Sequence, residues 1–162
     1  MKIKNKFINR QAFVIYLISL IALAVVFFSF LLINKLYWKS SSVIVDNKII
    51  DVQLALTGSQ QAIGLSNHKN LCLECGMLFV FPQKEIKKFW MKDMDFPIDI
   101  IWLNDNKVVG ITSNLPVPKN GEQPVTATST GPVNYVLELN AGMADYYGFK
   151  ENQEITYNLF IK

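Results

Sequence analysis

The distribution of apolar residues divides the chain into two parts. Residues 13–33 form an uninterrupted apolar run without a charged side chain, whereas later apolar residues come in short groups or alternate with polar ones. A helix of this length can cross the roughly 30 Å hydrocarbon core of a bilayer. A core helix of a small soluble domain would show a polar face, and this run shows none. The pattern therefore predicts one N-terminal transmembrane helix.

A cleaved signal peptide is the alternative interpretation of this run. Such a peptide has an apolar region of about 7–15 residues, followed by small residues at the cleavage site. Here the run is longer, and the bulky residues Leu36, Tyr37 and Trp38 follow it. Tyr and Trp also suit a membrane interface. We therefore predict an uncleaved signal anchor.

The charges that flank the run predict its orientation. Four basic residues and no acidic residue precede it, and fewer basic residues follow it: Lys2, Lys4, Lys6 and Arg10 before, Lys35 and Lys39 after. This excess predicts a cytoplasmic N-terminus. We expect a single-pass protein of the cell membrane that contacts the lipid bilayer through residues 13–33, with its main domain outside the cytoplasm.

The remainder of the chain shows the pattern of a β-rich domain. Residues 50–56 alternate between apolar and polar positions, the period of two that is typical of a half-buried strand. Strand-like runs then recur, separated by polar turns, at 77–81, 87–91, 98–103, 107–112, 134–139 and 155–161. Many short strands with turn signals predict a compact β-sandwich or barrel.

Two short helices complete the predicted fold. Thr57 and Gln60 have the spacing of a capping box at the start of the first helix. The second is predicted at residues 141–147, with Asn140 as its N-cap and Gly148 just past its end.

The predicted organisation has four segments. We expect a basic cytoplasmic N-terminus at 1–12, the signal anchor at 13–33, a linker at 34–44 and the extracytoplasmic β domain at 45–162. Within the domain, residues 113–132 carry four prolines and form a long loop, which is typical of a functional or disordered segment.

The positive net charge of +3 belongs to the N-terminal part. Residues 1–40 hold six basic and no acidic side chains, whereas residues 41–162 hold ten basic and thirteen acidic side chains and so carry a net charge of −3. A nucleic-acid-binding domain would present a basic surface, so we exclude nucleic acid as a partner.

Several spaced blocks resemble the bacterial and archaeal family known as domain of unknown function 192 (DUF192). The resemblance covers roughly residues 45–161, and the matching positions are Gly64, Leu65, 76–79, 89–92, Pro97, Asp99, 136–139, Ala141 and Gly142. It implies a compact β-rich sandwich or barrel and brings no established activity with it. The chain departs from the family pattern at three places: Asp93 replaces an asparagine, residues 66–68 replace Met-x-Arg, and residues 151–153 replace a Gly-Asp turn.

The central motif at 89–103 places ionisable side chains among large apolar ones. In an extended strand alternate side chains face opposite ways, so Trp90 shares a face with Lys92, and Asp99 shares a face with Ile101 and Leu103. A buried carboxylate is costly unless it is paired, which makes Lys92 the candidate partner of Asp99. Glu138 is a third ionisable residue in an apolar strand.

We interpret this pattern as an apolar cleft that holds Lys92, Asp99 and Glu138. A tryptophan wall beside acidic groups is a common way to bind saccharides and other amphipathic ligands. The predicted function is therefore binding of a small molecule or an envelope saccharide. The candidate ligand-binding residues are Trp90, Met91, Lys92, Asp99, Trp102 and Glu138.

Two other functions agree with the same residues. A hydrolase- or lyase-type enzyme could use Lys92, Asp99 and Glu138 for acid–base chemistry if burial separated their pKa values. A structural or protein-interaction module needs only an ion pair in the core and ordinary charges on the strand faces.

The two cysteines, Cys72 and Cys75, allow several interpretations. An oxidising exterior favours a disulfide, whereas the C-x-x-C spacing also occurs in redox dithiols and, with His68 and Glu74, in zinc sites. Soft donors for copper would be Met77, Met91 and Met94. We expect a Cys72–Cys75 disulfide, no metal site and no cofactor.

Overall fold

The computed structural model of the chain describes residues 3–37, 40–119 and 121–161. The chain forms two units, Met1–Lys39 and Ser40–Lys162. The first contains a single helix, α1 (Ile3–Tyr37), in which Arg10–Leu31 is long and apolar enough to cross a membrane by length and composition. The segment fits a single-pass anchor or a signal sequence. The predicted interface residue Trp38 and the flanking lysines Lys2 and Lys39 lie outside the described residues.

The second unit is mainly β, as the sequence predicts. Its strands are β1 (Ser41–Val45), β2 (Lys48–Ala55), β3 (Cys75–Glu85), β4 (Lys88–Trp90), β5 (Ile98–Asn104), β6 (Lys107–Leu115), β7 (Thr126–Thr128), β8 (Val133–Asn140) and β9 (Thr156–Asn158). Two short helices, α2 (Gly58–Ile63) and α3 (Met143–Tyr147), connect them.

Seven strands form one curled sheet in the order β6-β5-β8-β3-β2-β1-β9. Only β2 and β3 pair in parallel among these neighbours. The edge strand β6 approaches the chain that leads into the opposite edge strand β9, since Val108 exchanges backbone hydrogen bonds with Asn152 and Gln153. The sheet therefore forms a half-barrel, and β4 and β7 make a separate two-stranded ribbon.

Each face of the curled sheet has its own apolar cluster. The first face is covered by α3 and includes Leu78, Ile101, Leu103 and Leu137. The second face is covered by the β4–β7 ribbon and by the segment after α2; its cluster comprises Ala55, Leu65, Met77, Phe79, Met91, Met94, Ile98, Ile100, Trp102, Leu115, Ala127, Val133 and Val136. The predicted alternation along β5 is confirmed, because odd and even positions enter different clusters.

All seven runs predicted as strands contain a strand, whereas β1 and β7 were not predicted. Strand β1 lies partly inside the range assigned to the linker, where two serines hide the apolar pattern. Strand β7 spans three residues of the proline-rich segment and exists through its pairing with β4. Such a short strand depends on a partner that is distant in sequence, so a local pattern does not reveal it.

The helix ends agree with the prediction at α2 and partly at α3. The Thr57–Gln60 capping box is present, with Gln60 Oε1 accepting from the Thr57 N–H at 2.9 Å. Gly148 ends α3 as predicted, but the N-cap is Gly142 in a left-handed conformation (φ 85°), not Asn140. Asn140 instead ends β8, and its amide donates to the carbonyl oxygens of Leu71 and Cys72.

The three departures from the family pattern each include a residue with left-handed backbone. Asn67, Asp93 and Asn152 have φ of 61°, 53° and 66°. Asn and Asp tolerate this region better than other non-glycine residues, so these three turns form without a glycine at these positions.

Gly76 on β3 provides a stability test of the sheet. A Cβ at this position would lie 2.9 Å from Leu137 Cδ1 and 3.0 Å from the Glu138 backbone oxygen. We expect Gly76→Ala to lower the free energy of unfolding by about 1–3 kcal/mol, because strand β8 would have to shift. Gly58→Ala is the matched control, since nothing lies within 4 Å of its Cβ position and we expect no loss of stability there. Chemical denaturation measures the stability of both variants. Equal free energies of unfolding for the two would contradict the packing argument.

Candidate functional site

Asp99 has a buried side chain that joins α3 to the sheet. Its side chain is fully buried (0% exposed) on the face covered by α3. One carboxylate oxygen accepts from the Ala144 N–H near the start of α3, and the other accepts from the Asn114 N–H on β6, both at 2.8 Å. The predicted Lys92–Asp99 pair is therefore wrong. Two backbone amides satisfy this carboxylate, and it fixes α3 to the sheet.

Glu138 lies on the opposite face of the sheet from Asp99. The strand register pairs Glu138 with Ile100 on β5 and with Met77 on β3, whereas Asp99 pairs with Leu139. Partners opposite each other in a sheet project to the same face. The prediction that Asp99 and Glu138 share one cleft is therefore wrong, because adjacent positions of a strand face opposite sides.

The Glu138 side chain is buried on the second face of the sheet. It is 5% exposed, and its Oε2 atom has no hydrogen-bond partner. Burial raises the pKa of this carboxyl from 4.5 to about 8. Removing water from a carboxylate disfavours the charged form, so the group is mainly neutral at pH 7.

The segment after α2 approaches Glu138. Gly64, with φ of 52°, approaches so closely that a Cβ there would lie 3.2 Å from the Phe79 ring and 4.0 Å from Glu138 Oε2. Just beyond it, Ser66 Oγ donates to the Lys92 carbonyl oxygen at 2.8 Å, and the Asn67 N–H donates to that of Asp93 at 2.7 Å. These bonds join the segment after α2 to the central motif.

Trp90 and Lys92 lie on the outer surface of the ribbon. Trp90 is 55% exposed, and the Lys92 ammonium lies 5.4 Å from the centre of its ring. Trp90 pairs with Thr126 on β7 and borders a surface concavity of about 390 Å³ lined by Lys88, Phe89, Trp90 and Thr126. The predicted shared face of Trp90 and Lys92 thus forms an accessible aromatic and cationic surface.

Met91 and Trp102 do not line this surface. Met91 is 0% exposed and Trp102 is 2% exposed, and both belong to the cluster on the second face. The indole N–H of Trp102 donates to Thr112 Oγ1 at 2.9 Å, and its ring packs edge-on against Phe89. The prediction that these two side chains wall a ligand cleft is wrong, because the alternation that exposes Trp90 buries Met91.

Lys88, Phe89 and Thr126 line the concavity but were not predicted as ligand-binding residues from the sequence. The alternation along 87–91 contained the signal for Lys88, since it shares the outer face with Trp90. No local signal identifies Thr126, because its place beside Trp90 depends on the β4–β7 pairing.

Cys72 and Cys75 form a disulfide at the start of β3. Their sulfur atoms are therefore not free to bind zinc together with His68 and Glu74. In the part of the chain that the structure describes, no three His, Cys, Asp or Glu side chains are grouped as metal ligands.

The apolar helix and the half-barrel with its covering ribbon define a class: a small β-domain protein with one N-terminal hydrophobic helix. Residues 41–157 match the family DUF192, described as "Uncharacterized ACR". The chain belongs to this family. No curated protein matches the chain in sequence.

Two crystal structures are similar to the chain. One is a "putative transcription regulator" from Sinorhizobium meliloti 1021, with a TM-score of 0.63 and 29% identity, covering 72% of this chain and 91% of that one. The other is a protein of unknown function from Novosphingobium aromaticivorans DSM 12444, with a TM-score of 0.61 and 31% identity, covering 72% of this chain and 83% of that one.

Proposed function

We propose that this protein is a membrane-anchored, extracytoplasmic domain that binds a small anionic saccharide or a similar amphipathic ligand on the Trp90 surface. The observation that carries the proposal is the exposed indole at the edge of a concavity with two lysines beside it. A side chain as large and apolar as Trp is usually more deeply buried, so its exposure at a concave surface favours a ligand contact.

The chemistry of the surface favours an anionic ligand. An indole face packs against the apolar face of a sugar ring, and the Thr126 hydroxyl can exchange hydrogen bonds with sugar hydroxyls. Lys88 and Lys92 are exposed, and within the described residues neither forms a salt bridge. Their ammonium groups are available for a carboxylate or phosphate. The concavity of about 390 Å³ is within the usual range for small ligands.

The structure does not bring together the three residues of the enzyme alternative. Lys92 is exposed, and Asp99 and Glu138 are buried on opposite faces of the sheet. These three side chains do not form one acid–base site. The name of the Sinorhizobium protein concerns transcription, but we do not extend that role to this chain, because the net charge of −3 on residues 41–162 disfavours contact with nucleic acid.

The binding proposal predicts that Trp90→Ala weakens the binding of an oligogalacturonate by about two- to twelvefold. The loss follows from removing the stacking surface, since a stacking contact is worth about 0.5–1.5 kcal/mol and 1.4 kcal/mol corresponds to a tenfold change. Isothermal titration calorimetry on the full chain in detergent is the suitable measurement, since it does not depend on Trp90 as a reporter. Lys92→Gln should weaken the binding of the uronate oligomer and leave the binding of a neutral oligomer of the same length unchanged.

Tyr146→Ala is the matched control. Tyr146 is 62% exposed, and the Lys48 ammonium lies 5.0 Å from the centre of its ring. Tyr146 does not line the concavity. Equal losses in Trp90→Ala and Tyr146→Ala would contradict a specific site. Failure of all anionic and neutral oligomers to bind would reject the saccharide class.

A further inference from the structure

The buried carboxyl of Glu138 has a set of neighbours that the saccharide surface does not use. Its Oε2 atom is enclosed and lacks a hydrogen-bond partner. A buried polar atom without a partner costs free energy, and one explanation in folded proteins is an ion bound at that position. The side chains around Glu138 decide which ion would fit.

Three methionines belong to the apolar cluster on the face that carries Glu138. Met77 is its direct partner across β3 and β8, so the two side chains leave neighbouring strands next to each other. Their Cβ atoms are about 4.5–5.5 Å apart in such a pair. Met91 and Met94 are buried in the same cluster.

The segment that approaches Glu138 is also hydrogen-bonded to the turn between Met91 and Met94. Gly64 lies over Oε2, and residues 66 and 67 bond to the backbone of residues 92 and 93. Met91 and Met94 directly flank residues 92 and 93 in the sequence. The turn that bears both thioethers is therefore hydrogen-bonded to the same segment whose Gly64 lies close to Glu138 Oε2.

Among the described residues, the buried polar or charged side chains are Ser41, Ser42, Asp99, Ser129 and Glu138, and none of them is cationic. When a bound cation replaces the proton of the carboxyl, the resulting carboxylate among neutral thioethers is balanced by a single positive charge. A divalent ion would leave an excess charge in an apolar environment, which is costly.

We propose that Glu138, Met77 and the Met91–Met94 turn form a site for a soft monovalent cation of the Cu(I) class. Thioether sulfur is a soft donor that favours Cu(I), whereas hard cations such as Mg²⁺ and Ca²⁺ prefer sets of oxygen ligands. The carboxylate supplies the balancing charge. The disulfide removes both cysteines of the chain as competing thiolates.

Silver(I) is the probe, because it has the ligand preference of Cu(I) and needs no reductant that would open the disulfide. The full chain in nonionic detergent and chloride-free buffer is titrated with silver nitrate by calorimetry. We expect one high-affinity equivalent of Ag(I). Glu138→Gln and Met77→Leu should each lower its affinity at least tenfold while keeping the circular dichroism spectrum of the folded domain.

Met143→Leu is the matched control, because Met143 packs against the cluster on the other face of the sheet. His68→Gln tests imidazole as the donor. Unchanged affinity in both controls, with losses in Glu138→Gln and Met77→Leu, supports the site. Absence of a high-affinity equivalent, or equal affinity in all variants, overturns it. Since Trp90 is not a ligand, failure of silver binding leaves the saccharide result unaffected.

Discussion

Glu138→Gln is expected to stabilise the folded protein at neutral pH. Glutamine has the shape of the neutral carboxyl but cannot ionise. At neutral pH it therefore avoids the free-energy cost of protonating, on folding, a side chain that is ionised in the unfolded chain. The pKa of Glu138 rises from 4.5 in an exposed chain to about 8 in the fold. At pH 7 the difference corresponds to about 3 kcal/mol in the free energy of unfolding, at 1.36 kcal/mol per pKa unit.

The pH dependence of this effect has a definite sign. Between pH 4.5 and about 8 the folded state keeps the Glu138 proton that the unfolded state releases. The free energy of unfolding of the unmodified protein therefore falls as the pH rises through this window and is highest, with respect to this group, below pH 4.5. Chemical denaturation at several pH values should show Glu138→Gln equal to the unmodified protein near pH 4.5 and more stable at pH 8.

The matched control for this prediction is Glu151→Gln at an exposed turn. It should leave both the stability and its pH dependence almost unchanged, as expected for a surface substitution. Parallel stability curves for Glu138→Gln and the unmodified protein over pH 4.5–8 would show that Glu138 does not keep its proton in the fold.

Asp99→Ala is expected to lower the free energy of unfolding by about 3–5 kcal/mol, since a hydrogen bond to a charged group contributes about 1.5–3 kcal/mol. The substitution leaves the N–H groups of Ala144 and Asn114 without their acceptor. It also releases the first turn of α3 from β5. Thermal and chemical denaturation of the full chain in detergent measure the loss.

Asp99→Asn and Asp95→Ala sharpen this test. The asparagine amide offers one acceptor oxygen but presents N–H groups to the second backbone donor, so about half of the loss should remain. Asp95 precedes β5 in the same segment and is exposed, so its replacement should change the stability by about 0.5 kcal/mol or less. A loss below about 1 kcal/mol for Asp99→Ala would mean that the carboxylate does not hold α3 to the sheet.

These two carboxylates show how one sheet uses the same chemical group in two ways. Asp99 is satisfied by two backbone donors, which makes it part of the framework. Glu138 has an oxygen without a donor, which makes it a cost to stability. A group that destabilises the fold and persists in an apolar cluster is a candidate for binding, because functional sites often tolerate such costs.

Local patterns were sufficient for most of the β domain. The period of two predicted the strands and the opposite directions of Asp99 and Trp102 along β5, because side chains alternate in any extended strand. The spacing of Thr57 and Gln60 predicted the start of α2, since a capping box involves only residues three positions apart. The uninterrupted run at 13–33 similarly predicted the long apolar helix.

The position of each charged group depended on contacts between residues that are distant in sequence. Alternation indicated that Asp99 and Glu138 point toward apolar surroundings. The β5–β8 register decides that the two side chains lie on opposite faces of the sheet. The pairing of β4 with β7 brought Thr126 to Trp90, and the cover at Gly64 closed over Glu138. Such contacts form when the sheet curls and its faces are covered. The residue pattern of one strand therefore predicts which side chains share a face of that strand. It does not predict which residues from other elements pack against each face.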